Sequence, residues 1–245
     1  MYSNAYIFRY AGIMVILVAA VLSAAAMLLK PMQERNEAVD KMTSILKAAG
    51  FKDVNAKNAI DLFNSTITNM IVINQDGEVV DDFSGAGKEK SKAFGLNLKE
   101  QLYNKSMKRP FELPIFKANK NGETIYIIPV RGVGLWGPVW GNIALRDDFN
   151  TVIGVTFDHK SETPGLGAEI TTPIFTDQFP GKTLFDDNGK FVSIQVVKGG
   201  VANLDASMRN HAVDAISGGT ITSNGVSDMI RNVLESYEPY IKKIG

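Results

Sequence analysis

The stretch Glu123–Asp158, ETIYIIPVRGVGLWGPVWGNIALRDDFNTVIGVTFD, has the densest strand signals of this chain. It contains three runs rich in β-branched and aromatic residues, at 123–131, 139–146 and 151–158, and each has the length of a strand. A glycine-rich segment that begins at Gly132 follows the first run. The stretch therefore predicts the centre of a sheet.

Further strands and helices are expected on both sides of this stretch. Residues 66–74 and 78–83, joined by a turn, predict a β-hairpin, and 191–198 predicts a later strand. Apolar residues at helical spacing predict flanking helices at 32–49, 55–64 and 222–243, the last with Ser223 as its N-cap. We therefore expect an α+β fold with an antiparallel or mixed sheet and flanking helices.

The N-terminal segment Tyr10–Leu29, YAGIMVILVAAVLSAAAMLL, contains no charged residue, no Asn, no Gln and no Pro. As a helix, its twenty residues would be about 30 Å long, the thickness of a bilayer core. A cleaved signal peptide is the alternative, because the small residues at 23–26 could serve a peptidase. Both interpretations bring the N-terminus to a membrane, and the length of the run favours a transmembrane helix.

The chain is thus expected to have three parts. These are an N-terminal segment with the transmembrane helix at 1–31, membrane-proximal helices and the first hairpin at 32–122, and the core of one soluble domain with the C-terminal helix at 123–245. Arg9 is the only side-chain cation before the span, whereas several cations follow it. The positive-inside rule would leave the soluble domain in the cytoplasm, but the rule weakens for long domains, so the orientation stays open.

The composition excludes several classes of function. The 245 residues contain 26 basic and 26 acidic side chains, without the basic excess of a nucleic-acid-binding protein. The absence of cysteine excludes thiolate chemistry and cysteine-ligated iron–sulfur clusters. His159 and His211 lie far apart and in no metal-binding motif, so no metal site is expected. Any redox chemistry would therefore need an organic cofactor.

Two glycine-rich segments are candidates for a ligand site. The first, GVGLWG at 132–137, has the spacing of a dinucleotide fingerprint, but Pro138 and a β-rich stretch follow it instead of a helix. It is either a hairpin connection or a place where a flat ligand stacks on Trp136 or Trp140. The second, SETPGLGAE at 161–169, is either an ordinary turn or a loop whose backbone groups are free to bond a ligand.

The segment Asp214–Gly225, DAISGGTITSNG, concentrates glycines and hydroxyl side chains just before the predicted C-terminal helix. Its bare backbone would lie ahead of the unpaired amides of that helix, where the helix dipole favours an anion. Capping by Thr222 or Ser223 would explain two of the hydroxyls, but not Thr220 behind two glycines. The segment therefore indicates an anion site, and a phosphate covalently joined to Thr220 would suit it.

The same residues resemble a flavinylation motif, D-x-x-[ST]-G-[AG]-[TS], in which a flavin transferase joins FMN to the final hydroxyl through a phosphoester. The matching residues are Asp214, Ser217, Gly218, Gly219 and Thr220, with glycine where alanine is commoner. ETPGLG at 162–167, the tryptophan-containing glycine segment and one N-terminal span occur in the expected order. The chain therefore resembles the C subunit of the Na⁺-translocating NADH:quinone oxidoreductases. The corresponding G subunit of the Rnf complexes shares two of these motifs and is the alternative.

The resemblance implies a role for each matching residue. FMN would be attached covalently to Thr220, and the transferase would recognise the motif formed by Asp214, Ser217, Gly218 and Gly219. The residues expected to border the isoalloxazine are Trp136, Glu162, Thr163, Pro164, Gly165, Leu166 and Gly167. Lys198 is our own addition, since a cation there would favour a negatively charged flavin. A solvated lysine at a strand end explains Lys198 equally well.

The resemblance also implies a function. A single transmembrane helix would be followed by one soluble FMN-binding domain, which relays single electrons within an NADH:ubiquinone reductase (Na⁺-transporting), a translocase, without a complete active site of its own. Its partners would be the other membrane subunits, a flavin transferase and membrane lipid. It would lie in the bacterial inner membrane with its soluble domain in the periplasm, against the charge bias. A membrane-tethered, non-redox module that binds an unlinked anion or flavin is the alternative of a different class.

Overall fold

The computed structural model describes residues 3–244, and its first element is one long helix, α1 (Asn4–Ala48). The sequence predicted a transmembrane helix and a separate helix from 32 onward, but α1 continues through Pro31. A proline removes one backbone hydrogen bond, and the strong helix formers on both sides keep the helix intact. By length and composition alone, α1 contains a segment able to cross a membrane, and that segment is exposed in the structure.

The chain divides into two compact units, Met1–Lys41 and Met42–Gly245. In the second unit, the last turns of α1 pack into the core through Ile45 and Leu46, which are fully buried. The hydroxyl oxygens of Ser44 and Thr156 also lie 2.9 Å apart in a hydrogen bond. The structure divides within α1 after Lys41, whereas the sequence placed its boundary at 31.

A six-stranded antiparallel sheet forms the centre of the second unit, with the strand order β2-β1-β3-β4-β5-β6. The strands are β1 (Ile67–Asn74), β2 (Val79–Phe83), β3 (Glu112–Lys120), β4 (Glu123–Val133), β5 (Pro138–Leu145) and β6 (Val152–His159). The predicted hairpin is β1 and β2, and the three strands predicted within 123–158 are β4, β5 and β6. The α+β fold class is thus confirmed.

The sequence analysis missed β3. Its sequence, ELPIFKANK, contains Pro114 and two lysines, and these local signals disfavour a strand. In the sheet it lies between β1 and β4, where Ile115 pairs with Ile71 and Phe116 pairs with Ile127. Pairing on both edges therefore makes this segment a strand. It also joins the two parts that the predicted boundary at 122 separates, since β3 and β4 form a hairpin.

Short helices flank the sheet. After α1 they are α2 (Ala59–Thr66), α3 (Lys92–Gly95), α4 (Leu98–Ser106), α5 (Pro173–Thr176), α6 (Ala206–Arg209), α7 (Thr220–Leu234) and α8 (Glu238–Ile244). Helix α7 packs across β4, where a Cβ added at Gly132 would lie 2.7 Å from the Cβ of Met229. Val226, Ile230 and Val233 on the inner face of α7 are buried. The glycine therefore lets the helix approach the sheet closely.

The predicted C-terminal helix is interrupted. A 3-10 turn, Glu235–Tyr237, separates α7 from α8, so that the single helix predicted at 222–243 is two helices. Tyr237 in this turn is fully buried, and its hydroxyl donates a hydrogen bond of 2.9 Å to the carbonyl of Pro114. Burial raises the pKa of this hydroxyl well above its ordinary value. The turn thus fixes the end of α7 on β3.

A pair of parallel strands, β7 (Gln195–Val197) and β8 (Ala212–Asp214), lies outside the main sheet. The strand predicted at 191–198 is shorter than expected. Ser193 has a φ of +63°, a left-handed conformation that a regular strand does not contain, and the strand begins after it. The end of β8 leads directly into the segment that precedes α7.

Candidate functional site

Three segments of the chain meet at the buried side chain of Glu162. Its Oε1 accepts a hydrogen bond from the Trp136 amide at 2.8 Å, and its Oε2 accepts one from the Thr222 hydroxyl at 2.6 Å. The Glu162 amide donates to Nδ1 of His159 at 3.1 Å. Glu162 is 5% exposed, and Thr222 is 1% exposed. The loop after β4, the segment after β6 and the start of α7 are therefore joined in one place.

Two glycines make room for this carboxylate. A Cβ added at Gly134 would lie 2.6 Å from Oε1 of Glu162. A Cβ added at Gly167 would lie 2.4 Å from Oε2 of Glu162 and 2.6 Å from the hydroxyl oxygen of Thr222. Any larger residue at either position would displace the buried groups. Gly134 and Gly167, one in each candidate loop, thus allow the Glu162 side chain to pack closely against the backbone. The sequence alone did not indicate this role.

Helix α7 begins at Thr220, directly after a β-turn. The Gly219 amide donates to the Ile216 carbonyl at 3.0 Å, with Gly218 at φ +74° between them. The first amide of the helix to bond within it is that of Ser223, which donates to the Gly219 carbonyl at 2.9 Å. The amides before it are those that a helix leaves unpaired at its start. Thr220 therefore lies where the helix dipole is positive.

The predicted capping role of Ser223 is wrong. Gly219 occupies the N-cap position, and Ser223 lies fully buried inside the first turn. The Ser223 hydroxyl accepts a hydrogen bond from the Ile216 amide at 3.1 Å, so it holds the turn before the helix. Thr220 is half-buried and Ser217 is exposed. Of the hydroxyl side chains in this segment, these two are the ones that solvent reaches, because Thr222 and Ser223 are buried.

Leu166 brings the ETPGLG loop against the turn before α7. Its Cδ2 lies 2.6 Å from the position that a Cβ would take at Gly218. Its carbonyl carbon lies 3.3 Å from the corresponding position at Gly219. The Leu166 side chain is nevertheless 41% exposed. The two segments that the sequence analysis singled out separately, 162–167 and 214–220, are therefore in contact.

The backbone of the ETPGLG loop differs from the prediction, which expected its amides to be free for a ligand. The Gly165 amide donates to Oε1 of Glu169 at 2.9 Å. The Leu166 and Ala168 amides both donate to the Thr163 carbonyl at 3.1 Å. The loop is thus closed by its own hydrogen bonds, and these three amides are not available to a ligand. Its exposed residues are Thr163, Pro164, Gly165 and Leu166.

Four exposed apolar side chains lie on the segments that meet at Glu162, and we call them the apolar rim. They are Leu135 (48% exposed), Trp136 (63%), Leu166 (41%) and Ile221 (58%). A single exposed apolar side chain is ordinary, but four of them beside a buried polar cluster are typical of a binding site. The sequence analysis missed Leu135 and Ile221, and an apolar residue between glycines was the available signal for Leu135.

Asp214 and Lys198 lie at the ends of the parallel strand pair. The register pairs Val197 with Asp214, so Lys198 is one residue beyond β7 and level with Ala215. Oδ1 of Asp214 accepts a hydrogen bond from the Val201 amide at 2.6 Å. Both Asp214 and Lys198 are exposed. The fold thus brings Lys198 beside the beginning of the 214–220 segment, with its side chain in solvent.

Comparison with known proteins identifies the class of this domain and its relatives. The model of the FMN-binding domain family matches residues 134–235, which include all three segments that meet at Glu162. The C subunit of the Na⁺-translocating NADH-quinone reductase of Vibrio vulnificus is 36% identical over 237 residues, 92% of this chain and 90% of that protein. The C subunit of the Pseudomonas aeruginosa enzyme is 34% identical over 233 residues, 89% of this chain and 87% of that protein.

A solved structure has the same fold. The crystal structure of the C subunit of the Na⁺-translocating NADH-quinone reductase from Parabacteroides distasonis aligns with a TM-score of 0.73 and 36% identity, covering 87% of this chain and 96% of that one. The second unit therefore contains a domain of the FMN-binding class. The chain belongs to the family formed by the C subunits of Na⁺-translocating NADH-quinone reductases. This confirms the family that the sequence motifs indicated.

Proposed function

We propose that FMN is joined to Thr220 by a phosphoester and that the chain relays single electrons within a Na⁺-translocating NADH-quinone reductase. The observation that carries this proposal is the contact of Leu166 with Gly218 and Gly219, which joins the ETPGLG loop to the turn before Thr220. The family relation supports FMN as the cofactor. The arrangement of the site supports attachment at Thr220.

The start of α7 fits the phosphate of FMN. Thr220 is the first residue of the helix, and the amides of the first turn together with the helix dipole favour an anion there. Gly218 and Gly219 have no side chains that would crowd a phosphate on the Thr220 hydroxyl. Thr222 and Ser223 are bound to protein groups, which leaves Thr220 as the threonine of this turn that is open to modification.

The apolar rim fits the isoalloxazine. Leu135, Trp136, Leu166 and Ile221 present apolar surface on both loops and on the first turn of α7. When bound, FMN supplies the capacity to accept and return one electron at a time. The chain's own residues would hold the ring system, cover it from water and fix its distance from the helix start.

The chain would carry electrons without converting a substrate. Its candidate transmembrane segment, Tyr10–Leu29, contains no charged side chain, whereas ion pathways through membranes need polar groups. NADH oxidation, quinone reduction and sodium transport would therefore belong to partner subunits. The implied partners are these membrane subunits, the surrounding lipid and the flavin transferase that modifies Thr220.

The second unit is proposed to lie in the periplasm, with α1 in the bacterial inner membrane. The chain has no cysteine, so single cysteines can report its orientation. A cysteine in place of exposed Asn188 should react with a membrane-impermeant maleimide in intact cells, and one in place of exposed Ser3 should react only after lysis. The reverse pattern would place the domain in the cytoplasm, as the charge bias suggests.

Mass spectrometry of the protein from its own cells tests the attachment. The peptide that contains Thr220 should carry the mass of FMN less one water. Thr220→Ala should abolish the modification, and Thr220→Ser should retain it because the hydroxyl is kept. If Thr220→Ala still retains flavin through purification, the chain binds FMN without a covalent bond and the phosphoester is ruled out.

A further inference from the structure

Glu162 is a buried carboxylate that forms no ion pair within residues 3–244. Lys30–Glu34, Lys92–Glu112 and Lys242–Glu238 are ion pairs in that range, and none of them includes Glu162. Burying a charge costs free energy unless hydrogen bonds compensate for the lost water. Here the donors are two uncharged groups, the Trp136 amide and the Thr222 hydroxyl. A turn that needed only to reverse the chain would not require such a residue.

These three residues, Trp136, Glu162 and Thr222, form a network that we call the clasp. The Thr222 hydroxyl also accepts a hydrogen bond from the Leu135 amide at 3.4 Å. The Ser161 hydroxyl donates to the Trp136 carbonyl at 3.0 Å, which adds a second connection between the same two loops. The clasp thus holds the segment that carries two residues of the apolar rim.

The clasp also holds the start of α7. Thr222 lies two residues after Thr220 in the first turn, so a bond to the Thr222 side chain restrains the Thr220 backbone as well. Both oxygens of Glu162 point to protein donors, and Gly134 and Gly167 pack directly against them. The carboxylate is therefore enclosed by the protein, although the sequence resemblance implied that Glu162 borders the flavin.

We propose that Glu162 is a positioning residue. Its carboxylate locks the first turn of α7 to the loop after β4, and so holds Thr220 and the apolar rim in one fixed arrangement without touching the flavin. The consequence for FMN rests on the proposed function, whereas the clasp itself does not. Two measurements separate these claims.

The first measurement uses the full-length chain in detergent, produced in a host without flavin transferase. Hydrogen exchange of the Leu135 and Trp136 amides is compared among wild type, Thr222→Val, Thr222→Ser and Glu162→Gln. Thr222→Val removes the donor to the carboxylate and also the acceptor of the Leu135 amide, so Trp136 is the amide that reports the carboxylate alone. Exchange of the Trp136 amide should become faster on the order of tenfold, which corresponds to the loss of a hydrogen bond to a charged group. Glu162→Gln should speed it less, because it keeps one acceptor, and Thr222→Ser should stay near wild type.

Two controls keep this result interpretable. Glu169→Gln removes a charge from the same loop but not from the clasp, and it should leave the Leu135 and Trp136 amides unchanged. The Ile143 amide in β5 reports global unfolding and should remain protected in every variant. Unchanged exchange at Leu135 and Trp136 in Thr222→Val, with Ile143 still protected, would overturn the clasp.

The second measurement uses a host that has the transferase. The fraction of Thr220 that carries FMN and the accessibility of the bound flavin to iodide quenching are determined for the same variants. Thr222→Val should lower the attached fraction or raise the accessibility several-fold, and Thr222→Ser should restore both. If Thr222→Val matches wild type in both readouts, the positioning role fails while the flavin on Thr220 stands. If wild-type Thr220 carries no flavin, the proposed function fails, and the exchange data alone judge the clasp.

Discussion

Two surfaces of this molecule expose apolar side chains for different reasons. In the first unit, α1 presents an unbroken apolar run, with Leu17 55% exposed and Leu28 78% exposed. In the second unit, the apolar rim exposes Trp136 to 63% and Ile221 to 58%. The run on α1 belongs to one helix, whereas the rim is assembled from two loops and the first turn of α7, whose residues are up to 86 positions apart in the sequence.

The difference lies in what is beneath each surface. The run on α1 has no charged group within it, so any apolar layer as thick as the run is long could surround it favourably. The rim stands on a buried carboxylate, two hydrogen-bonded loops and a helix start, so its shape is fixed by polar contacts. A long, uniformly apolar surface such as that of α1 is suited to lipid. A small apolar surface whose shape is fixed by buried polar contacts, such as the rim, is suited to one particular ligand.

The largest expected effect comes from placing charge in the α1 run. Leu17→Arg with Val21→Arg puts two guanidinium groups near the centre of the span, at a cost of about 2.5–3.5 kcal/mol each. The doubly substituted chain should lose its retention in membranes after carbonate extraction. The same two arginines at Met32 and Gln33, beyond the run, are the control and should leave retention unchanged. Retention of the Leu17/Val21 variant would mean that α1 is not the anchor.

The next largest effect comes from disturbing the buried clasp beneath the rim. Gly167→Ala would force a methyl group against the carboxylate of Glu162 and the hydroxyl of Thr222, and it should lower the free energy of unfolding by about 1–3 kcal/mol. The urea midpoint of the detergent-solubilised chain measures this change. Gly95→Ala, where the added methyl meets open space, is the matched control and should not destabilise the chain. Equal urea midpoints for the two variants would show that the residues of the clasp can move to accommodate the methyl group without a loss of stability.

Substitutions of the rim side chains themselves should have little effect on stability but should expose the attached flavin. Leu166→Ser and Ile221→Ser remove side chains that are 41% and 58% exposed, so each should lower the free energy of unfolding by less than Gly167→Ala does. Both should nevertheless raise the iodide quenching of the attached flavin, because the ring loses apolar cover. Ile174→Ser, at the 86% exposed Ile174 of α5, is the control outside the rim. Equal quenching in all three variants would show that the rim does not face the flavin.

The same contrast explains how much the sequence could predict. The α1 run and strands β1, β4, β5 and β6 could be predicted because their signals are local. In each of them, the amino-acid composition and the spacing of apolar residues within a short window indicate the element. Strand β3 has no such signal, because Pro114 and its lysines argue against a strand and only pairing on both edges overrides them. Pro31 is the opposite case, where a local breaker signal is overridden by the helix around it.

In the site, the motifs singled out two segments but did not indicate the contacts between them. The resemblance singled out 162–167 and 214–220, and the structure brings these two into contact. The hydrogen bond from Thr222 to Glu162 spans sixty positions and has no sequence signal, so the sequence offers only helix capping as an alternative role for Thr222. The capping assigned to Ser223 failed for a related reason, since a serine beside a helix start can serve either the helix or the turn before it.

The smallest expected effect concerns Lys198, whose role at the flavin stays a prediction. The lysine is exposed at the end of β7, so its interaction with a reduced flavin would have the strength of a surface charge pair. Lys198→Gln should lower the flavin reduction potential slightly, because the reduced, negatively charged form loses a nearby cation. The difference should fade as ionic strength rises from about 0.01 M to about 1 M, where the Debye length falls from about 30 Å to about 3 Å. Lys190→Gln, at another exposed lysine, should leave the potential unchanged. If Lys198→Gln also leaves it unchanged at low salt, this lysine is a solvated strand end.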